Sequence, residues 1–230
     1  MTEVVAEKLG ETSPAPDAPA TGNLTRRGQA KAARRAEILA AAAHQMAQRG
    51  FAAVRLEDIG AAVGISGPAM YRHFSSKTDL LDTMLVDISE RLHDGGMAVA
   101  DQGASQMQTL ADLIAFHIDV LVTKPDLIVV QDRDLSSLTP EANHRVRSLQ
   151  RRYVERWVEV VLAVDESAAA AGSAGPARLT REEARVRVHA MFGLLNSSPR
   201  LPDFPESDLR AVLTAMATSA LLVRRPDSLR

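Results

Sequence analysis

A chain of 230 residues with 46% hydrophobic residues and a formal net charge of −2 holds apolar material for one medium core or two small ones sharing a helix. It contains no cysteine, which excludes disulfides, thiolate metal sites and thiol nucleophiles together. No apolar run reaches the roughly 18 residues of a membrane-spanning helix, and the charge is uneven: residues 24–77 carry nine Lys/Arg against three acids, while 1–23 carry −3 and 78–230 carry −5.

Residues 1–23 are rich in Pro, Ala, Thr, Glu and Asp without an apolar period, and read as a disordered tail. The tail is acidic and lacks an apolar signal core, so a cytoplasmic protein is expected. From Ala30 the chain reads as helix. Ile38, Leu39, Ala42 and Met46 share one face, and Arg49-Gly50 supplies a glycine stop. Leu56, Ile59 and Val63 mark a second, short helix; Gly64 turns the chain, Ser66 is placed to cap, and Pro68 to Phe74 form a third. Ser76 with Asp79 resembles a capping box opening a fourth helix, with Leu80, Leu81, Met84, Leu85, Ile88 and Leu92 on one face and an end near residue 93.

Beyond Gly95-Gly96 the helical period resumes with Leu110, Leu113, Ile114, Ile118 and Leu121, followed by a short segment after Pro125. Thr139-Pro140 opens a long helix bearing Val146, Leu149, Tyr153, Trp157, Val160, Val161 and Val164. Residues 165–178 read as a flexible loop of small residues. Thr180 and Glu183 make a second capping box for a helix over about 180–196, and a Pro-containing loop leads to a last helix over 207–223. No strand and no internal repeat is evident. The expected fold is all-α: an N-terminal three-helix helix-turn-helix domain (24–93, motif 56–75) joined to a larger helical domain (94–230).

Two short helices around a glycine turn are the arrangement that fits one helix into the major groove. The basic segment around them is the electrostatic footprint of phosphate contact, and the acidic remainder should avoid DNA. The run from Leu56 through Met70-Tyr71-Arg72-His73-Phe74-Ser75-Ser76-Lys77 to Leu81 resembles the DNA-binding segment of the tetracycline-repressor (TetR) family, with a distinctive Tyr-x-x-Phe, short turn and Lys. The likeness covers residues 33–93. It implies that Tyr71 and His73 reach phosphates or bases, that Lys77 anchors a phosphate, and that Gly67, Pro68 and Ala69 face the groove. Those three offer no bidentate fork and read at most a thymine methyl. Arg72 has the fork, although its angle could send it to the backbone. Ile59, Val63, Ile65, Met70 and Phe74 belong to the small core.

Two departures from the family pattern stand out. Arg55 occupies the place of a capping Thr or Ser, forgoing about 1 kcal/mol and adding a cation towards DNA. Gly60 replaces an alanine at about another 1 kcal/mol of helix propensity. Arg26, Arg27 and Lys31, ahead of the first helix, can enter the minor groove or touch phosphate, or simply be solvated.

The resemblance further implies a homodimer through the last two helices, a palindromic double-stranded DNA operator and a small-molecule effector. Candidate pocket walls are Phe116, Leu127, Val130, Tyr153, Trp157, Met191 and Phe192, for each of which plain core packing is the competing role. Arg145, Arg147, Arg151, Arg152 and Arg156 form a basic stretch of which one or two could hold an acidic ligand such as an acyl-coenzyme A. His117, His144 and His189 lack partners at ligand spacing, so neither a metal nor another cofactor is expected. G-x-S-x-G, P-loop and dinucleotide-binding patterns are absent, which points away from an enzyme. The expected function is a ligand-responsive repressor; a constitutive architectural dimer without an effector and a transcriptional activator are the alternatives.

Overall fold

The computed structural model describes residues 26–103, 105–172, 178–201 and 204–223; the expected tail over 1–23 lies outside them. The described residues are helical and contain no strand. The first helix, α1 (Arg26–Arg49), ends where Gly50 adopts φ 87°, a left-handed turn that glycine makes without steric cost. It starts four residues earlier than the apolar period indicates, because a surface run of Ala, Lys and Arg favours helix without needing a buried face. Arg26, Arg27 and Lys31 therefore ride on the first turns of a helix instead of a preceding arm.

Helices α2 (Leu56–Ala62) and α3 (Gly67–Met70) follow, and α3 is shorter than expected. Residues 71–73 leave it as a turn, with Arg72 N–H donating to Ala69 O and His73 N–H to Met70 O. Phe74, 1% exposed, plugs the space beneath. Ser66 precedes α3 in extended conformation, but its hydroxyl makes no cap bond. Helix α4 (Lys77–Gln102) opens as expected, Ser76 Oγ accepting from Asp79 N–H at 3.0 Å. The reciprocal bond is displaced by one residue: the Asp79 carboxylate accepts from Ser75 N–H at 2.7 Å.

Helix α4 does not stop near residue 93 but continues through Gly95-Gly96 to Gln102. The glycines are a packing device. A Cβ on Gly95 would enter the Phe116 ring, and one on Gly96 the Tyr153 ring. The remaining helices are α5 (Gln106–Thr123), α6 (Pro125–Asp134), α7 (Pro140–Ala170), α8 (Arg181–Asn196) and α9 (Glu206–Leu222). Helix α7 takes in 165–170 of the expected loop, since a run of alanines extends a helix at little cost; residues 173–177 of that loop lie outside the described residues.

Helix α4 runs along α7 and α5, α8 and α9 pack together at the far end, and α6 lies against α1. Buried apolar side chains pass without a break from Ile38, Met46, Ile59 and Phe74 into Leu113, Trp157, Val188 and Leu221. One core thus serves both domains, with α4 as the shared wall.

Candidate functional site

Helices α2 and α3 meet at Gly60. A Cβ there would stand 2.7 Å from Met70 Cγ and 3.0 Å from Ile65 O, and Ile65 N–H donates to Gly60 O at 2.9 Å. The glycine lets the helices touch, a gain that sets off its propensity cost. Gly64, φ 70°, makes the turn itself. Arg55 precedes α2, and because a guanidinium cannot accept a hydrogen bond, the cap is one-sided: the Asp58 carboxylate accepts from Arg55 N–H at 3.3 Å. The Arg55 side chain is left exposed.

Three cations of the basic module hold this unit together. Arg34 donates to Val63 O at 3.2 Å, capping the end of α2. Arg35 donates to His73 O and to Thr83 Oγ1, each at 3.3 Å, and lies 4.5 Å over the Phe74 ring, tying the turn after α3 to α1 and α4. Lys77 Nζ donates to Phe51 O at 2.8 Å and Ala52 O at 3.3 Å, and sits 4.4 Å over the Phe51 ring. The ammonium expected to anchor a phosphate is thus engaged by the loop ahead of α2. A lysine reaching 26 residues back to loop carbonyls leaves no local sequence pattern.

The outward surface carries Arg26, Arg27, Lys31, Arg55 and Arg72, all exposed and without a side-chain hydrogen bond or ion pair among the described residues. Pro68 is exposed, Gly67 and Ala69 are half-buried beside it, and His73 is half-buried with its backbone held by Arg35. Tyr71 is 55% exposed, its hydroxyl donating to Glu57 Oε1 at 3.3 Å. Glu57 was not nominated from sequence. Its Cγ would lie 3.2 Å from a Cβ on Gly67, so a carboxylate stands between Gly67 and Tyr71.

This unit is fastened to the rest of the chain by α6. Arg133 donates to Met46 O and, at 3.3 Å, to Ala47 O, the last carbonyls of α1. Asp134, 8% exposed, holds that guanidinium at 3.1 Å. His44 meets Asp126 at 3.1 Å, and Asp82 on α4 accepts from Thr139 Oγ1 at 2.6 Å at the start of α7.

The seven candidate pocket residues are spread between an aromatic cluster, the surrounding core and a separate cleft. Tyr153 and Phe192 stack with centroids 5.8 Å apart, Trp157 meets both edge-on at 6.0 and 5.4 Å, and His117 joins them 4.8 Å from Phe192. Met191 and Val130 are fully buried in the core. Phe116 closes over Gly95, and Leu127 lies apart, on a cleft between α1, α4 and α6. Helical spacing marks a side chain as interior without saying whether the interior is filled, and aromatic rings attract one another.

The core is nonetheless not chemically inert. His117 Nδ1 lies 3.2 Å from the Tyr153 hydroxyl, while His117 Nε2 and Trp157 Nε1 are buried with no hydrogen-bond partner. Burial pushes the His117 imidazole down to about 3 and lifts the Tyr153 phenol, the nearby Trp157 indole opposing the latter. Both groups are neutral at pH 7. Two unmatched polar atoms in an apolar core each carry a desolvation cost, which an incoming polar group can relieve.

The basic stretch of α7 is largely engaged. Arg145 pairs with Glu90 at 2.8 Å, and Arg156 with Asp101 at 2.6 Å and Glu159 at 3.3 Å. Arg147 meets Gln150, whereas Arg151 and Arg152 are exposed. Among the described residues no three His, Cys, Asp or Glu side chains are grouped to hold a metal, and no helix is long and apolar enough to cross a membrane. Val186 on α8, Val212 and Met216 on α9, and Val223 just past its end are apolar and 45–67% exposed. Arg187 braces the two helices, donating to Leu221 O at 2.9 Å.

Comparison with known proteins agrees with this architecture. Residues 38–84 match the family described as bacterial regulatory proteins, tetR family, and residues 103–200 match a tetracyclin repressor-like C-terminal domain. The chain is 27% identical over 136 residues to the HTH-type transcriptional repressor KstR2 of Rhodococcus jostii, a match covering 58% of this chain and 66% of that protein, just under two thirds of its length. Among solved structures, a TetR-family regulator from Bordetella parapertussis superposes with a TM-score of 0.71 at 20% identity, covering 83% of this chain and 94% of that one. AibR in complex with isovaleryl coenzyme A and operator DNA superposes with 0.62 at 17% identity, covering 80% and 97%. With the glycine-turned helix pair in place, an N-terminal and a C-terminal segment each matched by a family model and the helical fold shared over 83% of the chain, the chain belongs to the TetR family of regulatory proteins.

Proposed function

We propose that the chain is a ligand-responsive transcriptional repressor that binds a palindromic operator as a homodimer, reading DNA with residues 24–93 and sensing a small molecule with residues 94–230. The observation that carries this is the outer face of the helix-turn-helix. Pro68, Tyr71, Arg72 and Arg55 stand exposed on it and Arg26, Arg27 and Lys31 on the first turns of α1, while Arg34, Arg35 and Lys77 are spent on holding it rigid. Arg26, Arg27 and Lys31 suit phosphates or the minor groove, and Arg55 and Arg72 a phosphate or base. Gly67, Pro68 and Ala69 make the closest apolar approach. Lys77 acts on DNA at one remove, by fastening the loop that carries Arg55. Glu57 can accept from a cytosine amine, and Tyr71 and His73 complete the contact.

The exposed apolar side chains of α8 and α9 support a four-helix dimer seam, since apolar side chains repeated at helical spacing call for a partner. A two-fold reader then requires half-sites about one helical turn apart. For the effector, the unmatched His117 Nε2 and Trp157 Nε1 support a lipophilic molecule bearing a polar oxygen, and the likeness to AibR supports an acyl-coenzyme A. Such a ligand would part the aromatic stack. Gly96 of α4 touches Tyr153 of that stack, so α4 would swing and change the spacing of the two reading heads, through differential affinity for the two states.

The test is selection of bound DNA from a random pool, followed by titration of the complex with isovaleryl coenzyme A and longer acyl thioesters. The expected result is a palindrome and its release by a thioester. Recovery of DNA without two-fold symmetry would overturn the dimeric reader, and complexes indifferent to every thioester would overturn the effector class. Footprint position relative to the promoter separates repression from activation.

A further inference from the structure

A cleft of about 340 Å³ opens where the two domains meet. Leu39, Ala40 and Ala43 of α1 form one wall, Met84 and Ile88 of α4 the floor, and residues 123–127, ending in Leu127, the other wall. The cleft exists because α1 presents alanine where a larger side chain would fill the gap against α6. Its volume is at the lower end of small-ligand sites, and no residue of the aromatic stack lines it.

Four charged groups rim the cleft: Asp87, Arg91, Lys124 and Asp126. Asp126 is committed to His44 at 3.1 Å. Asp87 is shifted towards its neutral form, chiefly by desolvation in the cleft wall and also by Glu90, with Arg35 opposing. Arg91 and Lys124 carry no side-chain hydrogen bond or ion pair among the described residues. The rim thus offers two cations without side-chain partners among the described residues, alongside two carboxylates, above an apolar floor.

We propose that this cleft is a second small-molecule site, which binds a compact amphipathic carboxylate with its apolar body on Ala40, Ala43, Ile88 and Leu127 and its head between Arg91 and Lys124. A ligand there touches the DNA-reading unit and the larger domain at once, beside the Arg133 fastening. The space is too small for a coenzyme A conjugate, so its ligand differs from the one proposed for the aromatic core.

Calorimetry on the full chain without DNA tests the site independently of the repressor proposal, with octanoate as probe and octan-1-ol and octylammonium as controls. Saturable octanoate binding is expected, with both controls about tenfold weaker or worse. Arg91→Gln/Lys124→Gln should weaken octanoate by about the same factor. Ala40→Phe should fill the cleft and abolish binding with the helical circular dichroism intact, and Trp157→Phe should leave binding unchanged. Equal binding of octan-1-ol, an undiminished Arg91→Gln/Lys124→Gln variant, loss of binding on Trp157→Phe, or no saturable octanoate binding would each overturn the proposal.

Discussion

Acid should destabilise this protein through one buried ring. His117 is 4% exposed and flanked by Tyr153, Trp157 and Phe192, and its pKa is depressed from 6.5 to about 3. Above pH 6.5 the imidazole is neutral in both the folded and unfolded chain, and the contribution of the folded site is fully present. Below 6.5 the unfolded chain takes up a proton that the folded chain refuses. Stability then falls with decreasing pH by up to about 1.4 kcal/mol per pH unit until about pH 3, which is about 2 kcal/mol by pH 5. Urea unfolding followed by fluorescence of Trp157, whose ring lies 6.0 Å from His117, measures the effect at fixed protein concentration. His117→Gln keeps a polar partner for Tyr153 and does not titrate, so the other histidines and the carboxylates cancel in the comparison. The stability difference between wild type and variant should move by about 2 kcal/mol between pH 7.5 and pH 5, to the disadvantage of wild type. A difference that stays constant over that interval would refute the assignment of a neutral, enclosed imidazole.

Arg55→Ala should weaken operator binding and reduce the salt slope of log K by about one, measured by fluorescence anisotropy at several salt concentrations; an unchanged slope would remove Arg55 from the phosphate contacts. Gly96→Ala, which elsewhere in a helix would stabilise by up to about 1 kcal/mol, should instead cost about 1–3 kcal/mol by driving a methyl into the Tyr153 ring, seen as a lower Tm. Arg133→Ala leaves the carbonyls of Met46 and Ala47 without their donor from α6 and should cost about 1–3 kcal/mol, with faster amide exchange confined to the end of α1 and the facing turn of α6. Met216→Asp places a carboxylate among the exposed apolar side chains of α9 and should yield a folded monomer by sedimentation; a dimer that survives it would move the seam elsewhere.

The helix-turn-helix was legible because its signals are local. Gly64 is a turn residue in any context, Ile59 and Met70 sit at helical spacing, and the run through Phe74 to Lys77 carries the family likeness. The helix ends erred where local signals conflict with packing. Gly95-Gly96 looks like a break in one dimension, yet each glycine is the hollow that receives an aromatic ring from another helix. The alanines at 168–171 read as a loop by composition, although alanine is the best helix former once a neighbouring surface supports it.

The chain alone determined what propensity, period and charge can determine: an all-helical protein, a basic N-terminal unit fused to an acidic remainder, and the segment that carries the family likeness. The tertiary structure decided which of those charges are free. Lys77 turns back to loop carbonyls and Arg35 ties α1 and α4 to the turn after α3, so both are supports, while Arg55 and Arg72 remain outward. It also gathered His117, Tyr153, Trp157 and Phe192 into one stack and left the open cleft elsewhere, beside Leu127. Spacing along one helix says which side chains face inward. Whether they meet a partner, an unmatched polar atom or empty space depends on residues 30 to 90 positions away, whose approach only packing sets.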